Sequence, residues 1–279
     1  MRNFIKVLFC LLFYATTILP TGQNSKKDIH FVIVIPSYNN KDWYQKNLDS
    51  VLIQTYKNYD VIYIDDCSND GTHELVSSYI KNYSAEHLIT KVSNKKRVGA
   101  LANIYHVVHA CADTDVIVLL DGDDWLGHEN VLLTLKDAYT RKENWIVYSQ
   151  FIQWPMNVLG WNKAVSKRFI QGLDTPRNYS PSHLRTFYAG LFKKIKIEDL
   201  MYKGDFFAMT WDMAIMLPMI EMASEGHVEF IPEVLYIYNH SNPLSDHNVD
   251  LALQRTLHWV IAQMPKYAPL KCICDSKSE

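Results

Sequence analysis

Three carboxylates, Asp121, Asp123 and Asp124, stand directly behind the apolar run Val116 to Leu120. A run of Val, Ile and Leu of that length is what a strand buried on both faces of a parallel sheet requires. In open α/β sheets, ligands bind just beyond the carboxyl ends of the strands. Carboxylates crowded at such a point repel one another unless a cation lies among them. Their hard oxygens suit Mg2+ or Mn2+, ions that in turn hold phosphate oxygens. The pattern predicts a metal and diphosphate site, with an ordinary Asp-Gly turn as the plainer alternative.

Two further strand ends carry similar residues. Val61 to Ile64 leads into Asp65, Asp66, Cys67, Ser68, Asn69, Asp70 and Gly71, and Phe31 to Ile35 leads into Pro36, Ser37, Tyr38 and Asn39. Three strand ends of this kind exceed what turn chemistry accounts for. A calcium loop does not explain the second. Counting from Asp66 puts Ser77 where an EF-hand needs a bidentate Glu.

The segments IPSYN (35–39), IDDCSNDGT (64–72), VGALAN (98–103) and LLDGDDW (119–125) resemble family 2 glycosyltransferases of the GT-A fold. They do so in content, order and spacing, over roughly residues 30 to 247. The resemblance implies a single α/β domain with a Rossmann-like, mostly parallel central sheet flanked by helices. It also implies an inverting enzyme that uses a nucleotide-diphosphate sugar, UDP-sugars being the family's habit. The hydroxyl acceptor would be a glycan, a lipid-linked group or a protein.

Residue roles follow from the same resemblance. Pro36 and Tyr38 match the first nucleotide loop, and Asp66 matches the carboxylate that reads the base edge. For Asp65 and Asp66 the structural alternative is capping of the helix that follows. Arg97, just before Val98, could contact base or phosphate at a helix N-terminus. The family's usual Arg-Asn pair in that helix is replaced here by Ala102-Asn103. Asp121 would face the ribose or the metal's water shell, and Asp123 would ligate Mn2+ or Mg2+, with Asp124 orienting one of them. Asp212 stands where the family places its catalytic base, with Trp211 in place of the more usual preceding acid. Capping of the next helix is its alternative role. Near the end, Tyr236 to His247 resembles the segment that folds over the diphosphate. His240 and His247 are candidates there for a further metal ligand, His247 being preferred. Trp154, Trp161, His183 and Arg185 are predicted to shape the acceptor pocket, since aromatic faces stack on sugar rings.

Element positions are set by the apolar periodicity. Strands are predicted at Phe31–Ile35, Tyr59–Ile64, near Leu88–Val92 and at Val116–Leu120. Helices fall between them at about 42–54, from about 69 or 70, and at about 98–111. This alternation predicts parallel strands with right-handed crossovers. A helix near 130–139 and a strand at Trp145–Tyr148 follow. Residues 151–181 read as one long loop, and 183–192 as a strand or short helix re-entering the sheet. A helix over 213–223, two short strands at Val228–Ile231 and Val234–Tyr238, and a closing helix over 246–264 complete the pattern.

The 279 residues are 48% hydrophobic with a net charge of −2. That suits one sizeable α/β core and leaves no basic footprint for nucleic acid. Residues 1–6 are basic and 7–19 apolar, a run shorter than the ~20 residues that span a bilayer. Residues 1–22 are therefore expected to be a signal peptide or signal-anchor that places the chain in the secretory pathway or at a membrane. Residues 23–29 form a linker, 30–265 the catalytic domain and 266–279 a tail. Of five cysteines, Cys67 and Cys111 are predicted to be buried free thiols, and Cys272 and Cys274 match neither a redox nor a zinc spacing. Two other enzyme classes fit less well. Sugar nucleotidyltransferases carry a glycine-rich basic loop after the first strand, which PSYNNKDW (36–43) lacks. Dinucleotide oxidoreductases need a GxGxxG that follows no strand here. A non-catalytic binder of nucleotide sugars or glycans is the remaining alternative.

Overall fold

The computed structural model describes residues 28–166, 168, 181–244 and 250–273. The first half alternates as its periodicity requires: β1 (Phe31–Ser37), α1 (Tyr44–Leu52), β2 (Tyr59–Asp65), α2 (Thr72–Asn82), β3 (Ile89–Ser93), α3 (Ala100–Ala110) and β4 (Val116–Leu119). Next come β5 (Trp125–Leu126), α4 (Val131–Arg141), β6 (Ile146–Trp154), β7 (Val158–Leu159), β8 (Arg185–Tyr188) and the one-turn α5 (Ala189–Phe192). A 3-10 turn (Ile197–Leu200), the small pair β9 (Met201–Tyr202) and β10 (Asp205–Phe206), α6 (Trp211–Met222), β11 (Val228–Asn239) and α7 (Leu251–Gln263) close the chain.

The main sheet runs β3-β2-β1-β4-β8-β6-β11-β5, with β7 paired to β6. β3, β2, β1 and β4 are mutually parallel, and β6 and β11 are parallel to each other. All residues of β1 and β4 are buried, as central strands covered on both faces must be. The sheet is α/β and mostly parallel, as expected, but it is not uniformly so. β8 lies antiparallel between β4 and β6, and β5 antiparallel to β11. The insertion of β8 joins the two parallel blocks and carries Arg185 to the centre of the sheet.

Three expectations require correction. Residues 151–154 are not loop: β6 continues to Trp154 and turns back into β7, with Ile152 and Gln153 opposite Leu159 and Val158. Polar Gln150 and Gln153 interrupt the apolar run and mask the strand. Residues 228–239 form one strand rather than two. Register shifts between Ile231 and Val234, and between Val234 and Tyr236, absorb Pro232, which has no N–H to donate. Cys67 is exposed, not buried, because it sits at φ 65° on the tip of the loop after β2. The closing helix begins at Leu251, where Asp250 caps it by accepting from Leu253 N at 2.9 Å. The basic and apolar leader, Cys274 and His247 lie outside the described residues. Among the described residues, no helix is long and apolar enough to cross a membrane.

Candidate active site

The parallel pairing of β1 with β2 and β4 brings all three predicted strand ends to one edge of the sheet. Gly122 N donates to Pro36 O at 3.1 Å, which lays the acidic loop against the end of β1. A Cβ on Gly122 would stand 2.6 Å from Asn40 Nδ2 and 2.8 Å from Ser37 Cβ, so no larger residue fits without displacing one loop.

Helix α1 fixes the acidic loop from beneath. Asn47 and Ser50 are buried on its inner face, and Gln54, buried just past its end, continues the row at helical spacing. Asn47 Nδ2 donates to the carbonyls of Asp121 and Asp124, at 2.9 and 2.8 Å. Ser50 Oγ accepts from Leu126 N, while Gln54 donates to His128 O and accepts from Leu132 N. A polar stripe where a core face should be apolar was the sequence signal for this role. None of these three residues is among the expected site residues.

These strand ends open onto a cavity of about 680 Å3, within the ordinary range for small-molecule sites. On one wall the Arg97 guanidinium lies over the Tyr38 ring at 4.0 Å, and Pro36, Asp66 and Asn103 line the same end. Asp66 does not cap α2, whose start at Gly71 has no side-chain cap. Its buried carboxylate instead accepts from Val98 N, Gly99 N and Asn94 Nδ2, at 3.0, 2.8 and 2.7 Å. It thereby holds the loop that presents Arg97. Asp65 accepts from Ser68 N and meets His73, below the cavity.

The acidic cluster occupies the centre. Asp124 is fully buried, with both oxygens engaged: Oδ2 accepts from Tyr236 Oη at 2.6 Å and Oδ1 from Asn239 N at 2.7 Å. Asp123 is partly buried and accepts from Asn242 Nδ2 at 2.7 Å. Burial first, and then Asp121, push the Asp123 carboxyl up to about 6. Burial and the neighbouring carboxylates Asp123 and Asp121 hold Asp124 well above the usual range. Burial also raises Asp121; Arg185 opposes the shift and Asp212 adds to it.

Arg185, from β8, is buried between these groups. Its Nη2 donates to Asp121 Oδ2 at 2.8 Å, and its Nη1 lies 3.4 Å from Asp212 Oδ2. The guanidinium also stacks over Trp211, 4.8 Å from the ring centre. Burial alone would lower its pKa, but Asp121 and Asp212 outweigh that and keep it charged. His183 lies flat between Tyr236 and Tyr238, with ring centres 4.6 and 4.8 Å away. Burial and Arg185 hold it neutral. Arg185 Nη2 reaches His183 Nδ1 at 3.3 Å. An arginine only donates, so Nδ1 is the acceptor and Nε2 carries the proton.

Asp212 opens α6, in which every other residue is buried. It is not the cap: that position belongs to Thr210, at φ 57°, a strained conformation for a β-branched residue. Asp212 Oδ1 accepts from Met213 N, and the side chain, 31% exposed, faces the cavity.

The donor set can be tested against a divalent cation. Asp66, Asp121, Asp123, Asp124 and Asp212 line the cavity against Arg97 and Arg185. Several of these carboxylates are pushed toward protonation, an imbalance that a cation would relieve. Side-chain atoms of Asp121, Asp124 and His183 lie within 4.8 Å of one another. That trio is poorly suited, however, since Asp124 has both oxygens engaged and the Arg185 guanidinium already stands between the other two. Asp123 with Asp121 fits better.

Of the remaining predicted residues, Trp161, His183 and Arg185 line the cavity. Trp154 does not: its ring packs on Trp43 and Trp125 beneath Lys46. Arg185 lines the cavity while being only 2% exposed and engaged with two carboxylates. His240 lines the cavity beside Tyr238.

Residues 32–201 match the family model described as glycosyl transferase family 2. The amylovoran biosynthesis glycosyltransferase AmsB of Erwinia amylovora is 36% identical over 132 residues, covering 44% of this chain and 42% of the relative. The chain thus aligns with less than half of that relative's length. Among solved structures, the mannosyltransferase PcManGT of Pyrobaculum calidifontis, in complex with GDP-Man and Mn2+, matches 84% of this chain and 62% of its own. Its TM-score is 0.56 at 16% identity. TarS 1-349 of S. aureus in complex with UDP matches 77% of this chain and 61% of its own, with a TM-score of 0.55 at 15% identity. The likeness to these structures shows the shared fold, and with the family model covering more than half of its length, the chain belongs to glycosyl transferase family 2.

Proposed function

We propose that this chain transfers a sugar from a nucleoside-diphosphate donor, UDP-sugars first among them, to a hydroxyl acceptor with inversion. The observation that carries this is the joining of Asp121 to Asp212, through one buried arginine, within a single cavity. A displacement needs a cation to hold the departing diphosphate and a base for the incoming hydroxyl; Asp121, through a bound metal, and Asp212 would serve those separate tasks. Structures of the same fold hold UDP and GDP-Man, the latter with Mn2+, which supports this class of donor.

In this reading the base lies toward the Tyr38 and Arg97 pair, where a flat ring system can stack. Asp121 and Asp123 would hold Mn2+ or Mg2+, which when bound neutralises charge on a departing diphosphate. Asp212 takes the proton of the acceptor hydroxyl on Oδ2 as that hydroxyl attacks the anomeric carbon. Its Oδ1 is held by Met213 N, which fixes the direction of the other oxygen. Trp161, more than half exposed at the rim, offers a face for an acceptor sugar. The basic and apolar pattern of residues 1–22 supports placement at a membrane or in the secretory pathway.

The test is nucleotide release by the full chain from a panel of UDP- and GDP-sugars, with Mn2+ or with EDTA, beside an Asp123→Ala variant. Metal-dependent release from one donor, lost in the variant, is expected. Failure of UDP with Mn2+ to bind at all would overturn the donor site.

A further inference from the structure

We propose that Arg185 is a positioning residue. It sets the Asp212 carboxylate relative to Asp121, so that the group meeting the acceptor and the group meeting the donor are held as one unit. The inference deepens the transferase reading and rests on it.

Arg185 lies on β8, the one strand that runs antiparallel at the centre of the sheet, opposite Leu119 of β4. That register sets its side chain beside the acidic loop that follows β4. Its two terminal nitrogens address different carboxylates, Nη2 to Asp121 at 2.8 Å and Nη1 to Asp212 at 3.4 Å. The planar guanidinium imposes a fixed spacing on its two partners, which a lysine ammonium cannot do.

Two contacts and deep burial restrict the guanidinium itself. Trp211 lies under its plane, His183 Nδ1 faces Nη2, and the residue is 2% exposed. His183 is in turn fixed between Tyr236 and Tyr238. Trp211 precedes Asp212 in α6, so stacking on Arg185 also fixes the first turn of the helix that carries the base. That turn begins at the strained Thr210, which has little local preference of its own for this conformation. Asp212 is thus held from two sides, Oδ1 by Met213 N within its own helix and Oδ2 by Arg185 from outside it. The same guanidinium supplies positive charge between Asp121 and His183, which would leave Asp123 as the better ligand for a divalent cation.

The experiment compares wild type, Arg185→Lys, Asp212→Asn and the double variant. All are full chains, assayed for nucleotide release and transfer with the donor that the wild type turns over and with Mn2+. Lysine keeps the charge and loses the fork, so the fold should survive, as circular dichroism and thermal melting would show. The expected result is a kcat lowered about a hundredfold, the size of effect that misplacement of a reacting group produces, with the donor KM within about threefold. In the double variant, Arg185→Lys should cost no more than about threefold beyond Asp212→Asn, because its effect passes through Asp212. A kcat for Arg185→Lys near wild type, a loss confined to KM, or losses that multiply in the double variant would each overturn the proposal. A wild-type rate for Asp212→Asn would remove the assignment of the base, and is read separately from the lysine variant. Absence of turnover of any donor by the wild type would remove the transferase reading and this inference with it.

Discussion

The Tyr236 hydroxyl donates to Asp124 Oδ2 at 2.6 Å and accepts from Asp121 N at 3.2 Å. One side chain of β11 therefore grips both ends of the acidic loop that follows β4, 112 and 115 residues away in sequence. The acidic loop is thus held from two sides, by Tyr236 of β11 and by Asn47 of α1.

Tyr236→Phe removes only that hydroxyl. It leaves the Asp121 N–H without its acceptor and Asp124 with one donor fewer. Loss of partners for buried polar groups costs about 1–3 kcal/mol. Thermal unfolding of the variant should therefore shift down by several degrees, with weaker UDP binding in the presence of Mn2+. Unchanged melting and binding would show that the Asn47 contacts suffice to hold the loop.

Asp66 offers a second test, because its carboxylate accepts from three N–H groups and donates to none. Asp66→Asn has nearly the same shape but turns an NH2 toward donors. A cost of about 1–3 kcal/mol is expected. The change should also loosen the 94–99 loop, reducing UDP affinity through displacement of Arg97. Proteolysis or hydrogen exchange confined to that loop would report the effect. A variant that melts and binds UDP as wild type does would contradict the assigned role.

The parts of this fold legible in the sequence are those with local causes. β1, β2 and β4 announce themselves as apolar runs, and each predicted polar cluster lies at its strand end. A strand or short helix re-entering the sheet at 183–192 is legible and is found. The antiparallel sense of β8 and its place between β4 and β6 are not legible, because Arg185, Thr186, Phe187 and Tyr188 have no apolar period. Arg185 is buried only because Asp121 and Asp212 await it, a fact of tertiary structure. Tyr236, Asn239 and Asn242 lie in the segment that resembles the family's late stretch over the diphosphate, yet their individual partners depend on the pairing of β11 with β6. Asn47, Ser50 and Gln54 were readable in principle, as polar residues at helical spacing on an apolar face. Asp66 stands at the strand end where its motif puts it, but its hydrogen-bond partners belong to another loop and cannot be read from local sequence.

Arg97 and Tyr38 form a pair whose removal should be felt in binding rather than in folding. The guanidinium stacks at 4.0 Å on a ring that is itself only partly buried. An exposed stack of this type contributes about 0.5–1 kcal/mol, and more when a ligand desolvates it. Arg97→Ala should keep the wild-type melting temperature while raising the donor KM about tenfold at nearly unchanged kcat. A fall in kcat with KM preserved would instead place Arg97 at the reacting end of the donor. Titration with UDP alone would separate the two outcomes.

The acidic cluster sets a pH dependence of definite sign. Burial and the neighbouring Asp121 raise the Asp123 carboxyl from 3.8 to about 6. Between about pH 4 and 6, the folded chain retains a proton there that the unfolded chain has already released. In EDTA, the contribution of Asp123 to stability is therefore greatest below that interval. It declines as pH rises through it and is constant above. Asp121 and Asp124, raised by the same causes, act in the same direction. A cation bound at Asp123 must displace the proton, so below pH 6 affinity for Mn2+ should rise about tenfold per pH unit. Thermal melts from pH 4.5 to 7.5, with and without Mn2+, should show metal stabilisation growing toward neutral pH. In Asp123→Asn the dependence in EDTA should weaken, Asp121 and Asp124 still contributing, and the response to Mn2+ should largely vanish. Equal stabilisation by Mn2+ at both ends of the range would mean that the ion binds away from these carboxylates.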